Sequence, residues 1–343
     1  MMGGRVLLAM SGGIDSSAAA VILMRQGYEV EGFTFKIKGV NSFSVDNASK
    51  ICQKLGIRHE YHDITEIFRN DVIEYFMNEY ENGRTPNPCV MCNRMIKFGH
   101  IYNLAMERGF DYSATGHYAS IRISGGRPRL AKSADSSRDQ SYFLYVLKEN
   151  QLSNILFPLE GKKKSEAREI CGSLGLMSPD SRESREICFI SSDYKNFLAA
   201  EGRFDSKKGI FVDINGKELG IHDGISNYTI GQRKGLGITI GKPAYIVDIN
   251  PINGDITLGD DSDLYKDSFS IKDVNLINGC IPTGNELYVK IRYGAAPARI
   301  NAVTEMPGAG FKIKTDEPLR AVAPGQSAVI YQNDIVVGGG VIL

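Results

Sequence analysis

The chain has 343 residues, more than one hydrophobic core usually supports, so two or three domains are expected. Its apolar fraction is 42%, and 40 basic residues balance 40 acidic ones. That composition is globular, and a formal charge of zero excludes a protein that grips nucleic acid by bulk electrostatics. Local basic faces remain open at Lys162, Lys163 and Lys164 with Arg168, and at Lys207 and Lys208. A solvated surface explains either as well. There is no apolar run of about 18 residues, so no membrane span or membrane partner is expected. Nor is there a charged-then-apolar leader with a cleavage site, which predicts a cytoplasmic chain, or an organellar one after processing. Six cysteines in that setting argue against a structural disulfide framework.

In chain order, Arg5-Val6-Leu7-Leu8-Ala9-Met10 reads as a buried strand. Ser11-Gly12-Gly13-Ile14-Asp15-Ser16-Ser17 follows, and a helix is expected from Ala18. A strand, a small-residue loop and a helix N-terminus make an anion site, because unpaired amides and the helix dipole face the same point. Phosphate is the expected occupant. The Gly-Lys-Ser/Thr ending of a Walker loop is missing. A ligand-free turn is the plain alternative, but Asp15 is oddly placed for a solvated charge. A Mg²⁺ between its carboxylate and phosphate oxygens would account for it.

Strand-like 29–35, helical spacing at Val45, Ala48, Ile51, Cys52 and Leu55, and a short strand at 59–64 come next. Helical stripes follow through Ile67–Met77 and Met95–Ala105, then a strand over 112–117. This alternation predicts a parallel sheet covered on both faces, with the loops after Met10, Phe35 and Thr115 converging at its carboxyl edge. Near Gly202 the helical periods stop. Asn215-Gly216 and Asn253-Gly254 are hairpin signals. From about Asp263 the pattern is wholly strand-like, and a closed β-barrel is expected for the last eighty or so residues.

Two cysteine settings stand out. In Thr85-Pro86-Asn87-Pro88-Cys89-Val90-Met91-Cys92-Asn93, the prolines fix an extended approach and Asn93 can cap a following helix. Cys92 beside that helix start, near Arg94 and Lys97, would have a lowered thiol pKa. The alternatives are half of a zinc site, or an iron–sulfur site using Cys89, Cys92 and Cys188. Cys188, in Arg185-Glu186-Ile187-Cys188-Phe189-Ile190, follows the polar stretch 178–184 and is expected at a loop edge. Cys52, Cys171 and Cys280 read as apolar fillers.

The loop 11–17 resembles the pyrophosphate loop of the ATP-pyrophosphatase (PP-loop) superfamily. Together with 85–93, Ala114-Thr115-Gly116-His117-Tyr118, Asp139-Gln140-Ser141-Tyr142-Phe143-Leu144, 187–190, Tyr228-Thr229-Ile230-Gly231-Gln232-Arg233-Lys234-Gly235-Leu236-Gly237 and 323–329, it is similar to the tRNA-specific 2-thiouridylase family over nearly the whole chain, in family order. The resemblance implies a PP-loop α/β catalytic domain at 1–201, a central β-rich domain at 202–262 and a tRNA-binding β-barrel at 263–343. It implies ATP-dependent adenylation of C2 of a wobble uridine and sulfur transfer from a cysteine persulfide.

Ala9, Met10, Ser11, Gly12, Gly13, Ile14, Asp15 and Ser16 would then hold ATP, with Phe35 and Gly116 at the nucleotide. Cys92 would be the nucleophile and Cys188 the persulfide carrier. Asn87, Pro88 and Cys89 would border the base, Cys89 standing where some members carry Asp. His117, Arg138, Asp139, Gln140, Arg292, Tyr293 and Gln326 would contact tRNA. The implied partners are tRNA and a persulfide-donor protein. ATP and Mg²⁺ would be needed, with no permanently bound cofactor, and the chain would act as a monomer. Two departures are a short stretch between Phe35 and Ala48, and Arg138 where Lys is common. The rivals are an iron–sulfur-dependent RNA thiolase on the same fold, an amide-forming ligase and a non-catalytic RNA-binding protein.

Overall fold

The computed structural model describes residues 3–176, 187–190, 193–203, 208–284, 286–308 and 310–343. The polar stretch 178–184, Arg185, Glu186 and Lys207 lie outside them.

Five parallel strands form the first sheet. They are β1 (Arg5–Ala9), β2 (Glu29–Lys36), β3 (Arg58–Asp63), β4 (Tyr112–Ala114) and, after a hairpin of β5 (Ser120–Ser124) and β6 (Arg127–Ala131), β7 (Ile155–Leu156). Their order is β3-β2-β1-β4-β7. Alternation along β1 sends Val6 and Leu8 to one face and Leu7 to the other. Val6, Leu8 and Met10 pack on Ala18, Ala19, Ala20 and Leu23 of the helix Ile14–Arg25. Leu7 packs with Phe33, Ile101, Ala105 and Phe110 on the opposite face. The strand order reverses between β1 and β4, and in such sheets that crevice is where ligands bind.

Three helical details differ from expectation. The first helix begins at Ile14, not Ala18, so Asp15, Ser16 and Ser17 ride on its opening turn. The helix after the second proline begins at Pro88, with Asn87 as its cap accepting from the Val90 amide, so Asn93 is helical and caps nothing. That helix runs through Cys92 into a π-wound stretch, Asn93–Ile101, and on to Glu107. A second π stretch, Arg69–Ile73, interrupts the helical run from Thr65 to Glu81.

The central domain is a four-stranded sheet of β8 (Gly209–Asp213), β9 (Glu218–His222), β10 (Tyr245–Ile249) and β11 (Ile256–Gly259). Its hairpins turn at the two Asn-Gly pairs. Then come β12 (Tyr265–Leu276), β13 (Tyr288–Lys290), β14 (Ala298–Met306), β15 (Gly310–Arg320), β16 (Ser327–Gln332) and β17 (Ile335–Ile342). They run β12-β15-β14-β13-β16-β17, and β12 pairs with β17 to close a six-stranded barrel.

The β5–β6 hairpin joins this barrel through Ala131 opposite Ile335, tying the first domain to the third. Its Gly125-Gly126 turn has both residues at positive φ, the two-residue signal that would have revealed it. Cys52 and Cys171 are buried fillers as expected. Cys280 is exposed, which corrects its reading as a filler.

Candidate active site

At the carboxyl end of β1 the chain turns through Gly12, whose φ of +71° suits glycine. A Cβ there would meet the backbone of Ala48 at 2.9 Å. Gly13 occupies the N-cap without a side-chain cap, so the first amides of the helix stay available. Ser16 and Ser17 turn inward, both donating to the Gly13 carbonyl at 3.1 and 2.8 Å. Ser11 is exposed, and its amide donates to Ser16 Oγ at 3.2 Å. The loop therefore braces itself with its hydroxyls and leaves backbone amides to face an anion.

Gly116, at the end of β4, lies flat against this loop. A Cβ on it would stand 2.9 Å from the Asp15 carbonyl carbon and the Ser16 nitrogen. Tyr118 donates its hydroxyl to Asp15 Oδ1 at 2.7 Å. Gln140 clamps Tyr118 on both sides: its Oε1 accepts from the Tyr118 amide and its amide donates to the Tyr118 carbonyl. Asp15 also receives Lys164 Nζ at 2.7 Å on both oxygens. Lys164 keeps only 12% side-chain exposure, so this lysine is turned inward rather than part of a solvated basic face. It opens the helix Lys164–Ser173, which packs against the first helix; Cys171 from it donates to the Ile14 carbonyl.

The loop amides fit a phosphate. The carboxylate of Asp15 has the right chemistry for Mg²⁺, but both its oxygens are held by Lys164. A metal would have to share or displace that ammonium. Among the described residues no group of three His, Cys, Asp or Glu side chains is placed to hold a metal ion, which counts against the zinc and three-cysteine iron–sulfur readings.

Cys92 lies in one apolar cluster with Ile187, Phe189 and Ile190, the neighbours of Cys188. The turn at 187–190 closes with the Ile190 amide on the Ile187 carbonyl. Phe189 anchors it edge-on among Phe68, Phe76 and Phe197, with ring centroids 5.8, 5.4 and 5.3 Å away. Cys188 and Cys89 are exposed, and Cys92 is half-buried. Burial pushes the Cys92 thiol up to about 12, with smaller upward contributions from Cys188 and Cys89 and an opposing one from Lys97. Burial also raises Cys89 and Cys188, against the same Lys97 charge. This reverses the expected lowering at Cys92. The helix starts at Pro88, so Cys92 sits a turn inside it, and desolvation outweighs the nearby cation.

His117 is buried. Its Nδ1 bonds Thr115 Oγ1 at 2.7 Å and its Nε2 bonds Lys97 Nζ at 3.3 Å. Burial and then Lys97 drive its pKa well below the usual range, so the ring is neutral. An ammonium can only donate, so Nε2 is the acceptor and Nδ1 carries the proton.

The other expected RNA contacts divide into two sets. Tyr293 is 40% exposed and lies on the Phe143 ring, centroids 4.7 Å apart, with Lys290 Nζ 5.7 Å from its own centroid. Arg138 stands close enough to act on the Tyr293 phenol. The remaining side chains face inward in the free chain. Asp139 accepts from Ser133 and Ser141. Arg292 donates to the Ala321 carbonyl. Gln326 donates to the Thr85 and Pro86 carbonyls at 3.0 and 3.2 Å. Asn87 and Pro88 are buried at the helix start, so of the three residues expected at the base only Cys89 is open. The barrel segment 324–326 thus holds the approach to the Cys92 helix, since the Thr85 amide also donates to Pro324.

Family models described as the tRNA methyl transferase HUP domain, the tRNA methyl transferase PRC-barrel domain and the aminomethyltransferase beta-barrel domain match residues 4–192, 195–260 and 266–342. The tRNA-specific 2-thiouridylase MnmA of Clostridioides difficile (strain 630) is 45% identical, covering 99% of this chain and 98% of its own. A second relative, tRNA-specific 2-thiouridylase MnmA 2 of Clostridium botulinum (strain Hall), is 43% identical over 100% and 99%. This chain belongs to the tRNA-specific 2-thiouridylase family.

Two solved structures have a lower likeness. A 4-thiouridine synthetase–RNA complex with bound ATP gives a TM-score of 0.37 at 21% identity, covering 51% of this chain and 41% of that one. A predicted subunit of tRNA methyltransferase from Methanocaldococcus jannaschii gives 0.33 at 19%, covering 50% and 76%. Membership of the thiouridylase family rests on the full-length relatives.

Within this thiouridylase-family site, sequence reasoning missed two residues. Lys164 hid in a lysine run, and Tyr118 was quoted only as part of a motif. The available signal was the capping pattern at 163–166, where Glu166 bonds back to the Lys163 amide and so fixes Lys164 on a first helical turn.

Proposed function

We propose that the chain is an ATP-dependent tRNA sulfurtransferase that converts the wobble uridine of tRNA to 2-thiouridine, acting as a cytoplasmic monomer with domains at 1–201, 202–262 and 263–343. One observation carries this reading. The four residues 115–118 touch both halves of the site: Gly116 and Tyr118 lie on the phosphate loop, and His117 bonds Lys97 beside the three thiols. An activating nucleotide and a sulfur carrier would therefore meet at one edge of the sheet.

In this reading residues 9–16 hold ATP as its Mg²⁺ complex, with Phe35 and Gly116 at the nucleotide. The uridine O2 displaces pyrophosphate from the α-phosphorus, which turns a poor leaving group into AMP. Sulfur arrives as a persulfide on Cys188, from a donor protein. Either its outer sulfur attacks C2 and Cys92 then frees the product, or Cys92 first releases sulfide that attacks C2. Both routes end with AMP lost and a Cys92–Cys188 disulfide, so a thiol reductant must restore the pair. The base must leave the anticodon stack to reach this site.

Recognition then rests on Arg138, Asp139, Gln140, Arg292, Tyr293, Gln326 and Cys89, while the buried His117 would act from inside the site. Tyr293 offers an open ring among Lys290 and Arg138, suited to stacking a splayed base. Tyr293→Ala should weaken tRNA binding about tenfold or more in a filter-binding assay. Pyrophosphate release at saturating tRNA should stay near the parent value.

The deciding experiment is nucleoside mass spectrometry of tRNA incubated with the protein, ATP, Mg²⁺ and a persulfide source. The expected result is 2-thiouridine formed in proportion to pyrophosphate released. Absence of the thiolated nucleoside from every tRNA in an unfractionated pool would overturn the reading. A newly methylated nucleoside in a parallel incubation supplied with a methyl donor would favour the chemistry in the family models' descriptions instead.

A further inference from the structure

Lys97 hydrogen-bonds the buried imidazole, and its charge also acts on Cys89, Cys92 and Cys188. Five residues separate it from Cys92. In an α-helix, residues three or four apart share a face, and a residue five away falls off it. From Asn93 the helix is π-wound, with backbone hydrogen bonds from i to i+5, so a residue five away lies about one turn on and nearer the same face than in an α-helix. The irregular winding therefore brings the lysine onto the face that carries Cys92. Among the described residues no carboxylate pairs with Lys97, although the half-buried Arg84 and Lys164 each have one. Its hydrogen-bond partner is neutral His117, held in one tautomer by Thr115. An ammonium anchored on a neutral acceptor, facing thiols rather than a carboxylate, is poised for an anion that appears only when a sulfur ionises.

We propose that Lys97 is the counter-ion of the sulfur anions in this site, stabilising the Cys92 thiolate and the anionic sulfur on Cys188, and that His117 is a positioning residue that holds the ammonium toward them. This inference rests on the thiolation reading for its meaning but not for its test. Among the described residues, the titratable groups facing Lys97 are Cys89 and Cys92 from its own helix, Cys188 from the turn at 187–190, and His117 from the loop after β4. His117 is buried and neutral, so it contributes no competing charge. The assignment also gives His117 a task inside the protein: only 6% of it is exposed, which leaves little surface for RNA.

The test is alkylation of the whole protein with iodoacetamide across pH 7 to 10, each cysteine followed by peptide mass spectrometry. Exposed Cys280 serves as the internal control. Lys97→Met should slow Cys92 and Cys188 about fivefold to tenfold at pH 8 and move their profiles to higher pH, because one pKa unit is a tenfold change in thiolate. Lys97→Arg should restore both rates to within about twofold, since it keeps the charge. His117→Phe keeps the ring packing against Phe98 and Phe157 but removes the acceptor. It should slow alkylation about twofold to threefold, and it reports on the same idea if the methionine variant fails to fold. Unchanged Cys92 and Cys188 rates in Lys97→Met, or equal slowing of Cys280, would overturn the assignment. So would an arginine variant as slow as the methionine one. If the unaltered protein made no 2-thiouridine, the functional reading would fail while these rates could still behave as stated.

Discussion

Cys92→Ser protein should accept sulfur on Cys188 from a persulfide donor and still release pyrophosphate in the presence of tRNA. It should make 2-thiouridine at a rate lower by on the order of 10³-fold or more, as expected when a nucleophile is removed. Cys188→Ser should carry no labelled sulfur at all. The physical basis is the difference in setting between the two thiols. Cys188 stands exposed on a short turn pinned by Phe189, where a bulky donor can reach it. Cys92 is half-buried against the same turn, so it can meet sulfur already on Cys188 but is poorly placed to receive it from outside. Trapping labelled sulfur on Cys92 alone would reverse the two roles. Cys89→Asp should keep most activity, because Cys89 stands exposed and nothing in the sulfur transfer needs its thiol.

The sign of the pH dependence follows from the same burial. Cys92 is held up to about 12, so at pH 8 its thiolate is on the order of one part in 10⁴. Each pH unit from 7 to 9 should therefore speed its alkylation about tenfold without a plateau. A plateau below pH 8 would mean that the free site is already ionised. Binding of the RNA and nucleotide would have to change the desolvation that dominates the free chain.

The sequence made the catalytic architecture readable where local patterning and chemistry coincide. The run 5–10, the small-residue loop and the period of 3.6 at 45–55 each specify one element, and their alternation implies a parallel sheet. The two Asn-Gly pairs and the strand-like last eighty or so residues indicated the hairpins and the barrel. What it hid was tertiary. Nothing in residues 93–101 announces π winding, and the bond from Asn93 to the Phe143 carbonyl joins segments 50 residues apart. Desolvation of Cys92 outweighed the cation that sequence proximity suggested. Gln326 and Asp139 are placed at tRNA by the family resemblance alone, which says nothing of their partners within the chain. The carbonyls and amides that they satisfy come from segments many residues away or from tight turns.

Lys164→Met should lower tRNA-dependent pyrophosphate release by about 10²- to 10³-fold, the scale expected when one preorganised group at a reacting phosphate is lost. Asp15→Asn should cost at least as much and should raise the Mg²⁺ concentration needed for half-maximal release. In the free chain the two side chains satisfy each other at 2.7 Å, and Asp15 remains 37% exposed on its outer side. That arrangement keeps a nearly buried ammonium paired. It also leaves the carboxylate reachable by a cation arriving with the nucleotide. An incoming phosphate can replace Asp15 as the partner of Lys164, which would supply the lysine that the loop itself lacks. If the pair separates in this way, the two groups act on different atoms and their losses should multiply in the double variant. If the ion pair persists through the reaction, the double variant should be no worse than the weaker single one. The cycle of four proteins, measured as pyrophosphate released per minute at several Mg²⁺ concentrations, separates the two. A double variant equal to Lys164→Met, with an unchanged Mg²⁺ requirement in Asp15→Asn, would restrict Asp15 to holding the lysine and remove it from the nucleotide's metal.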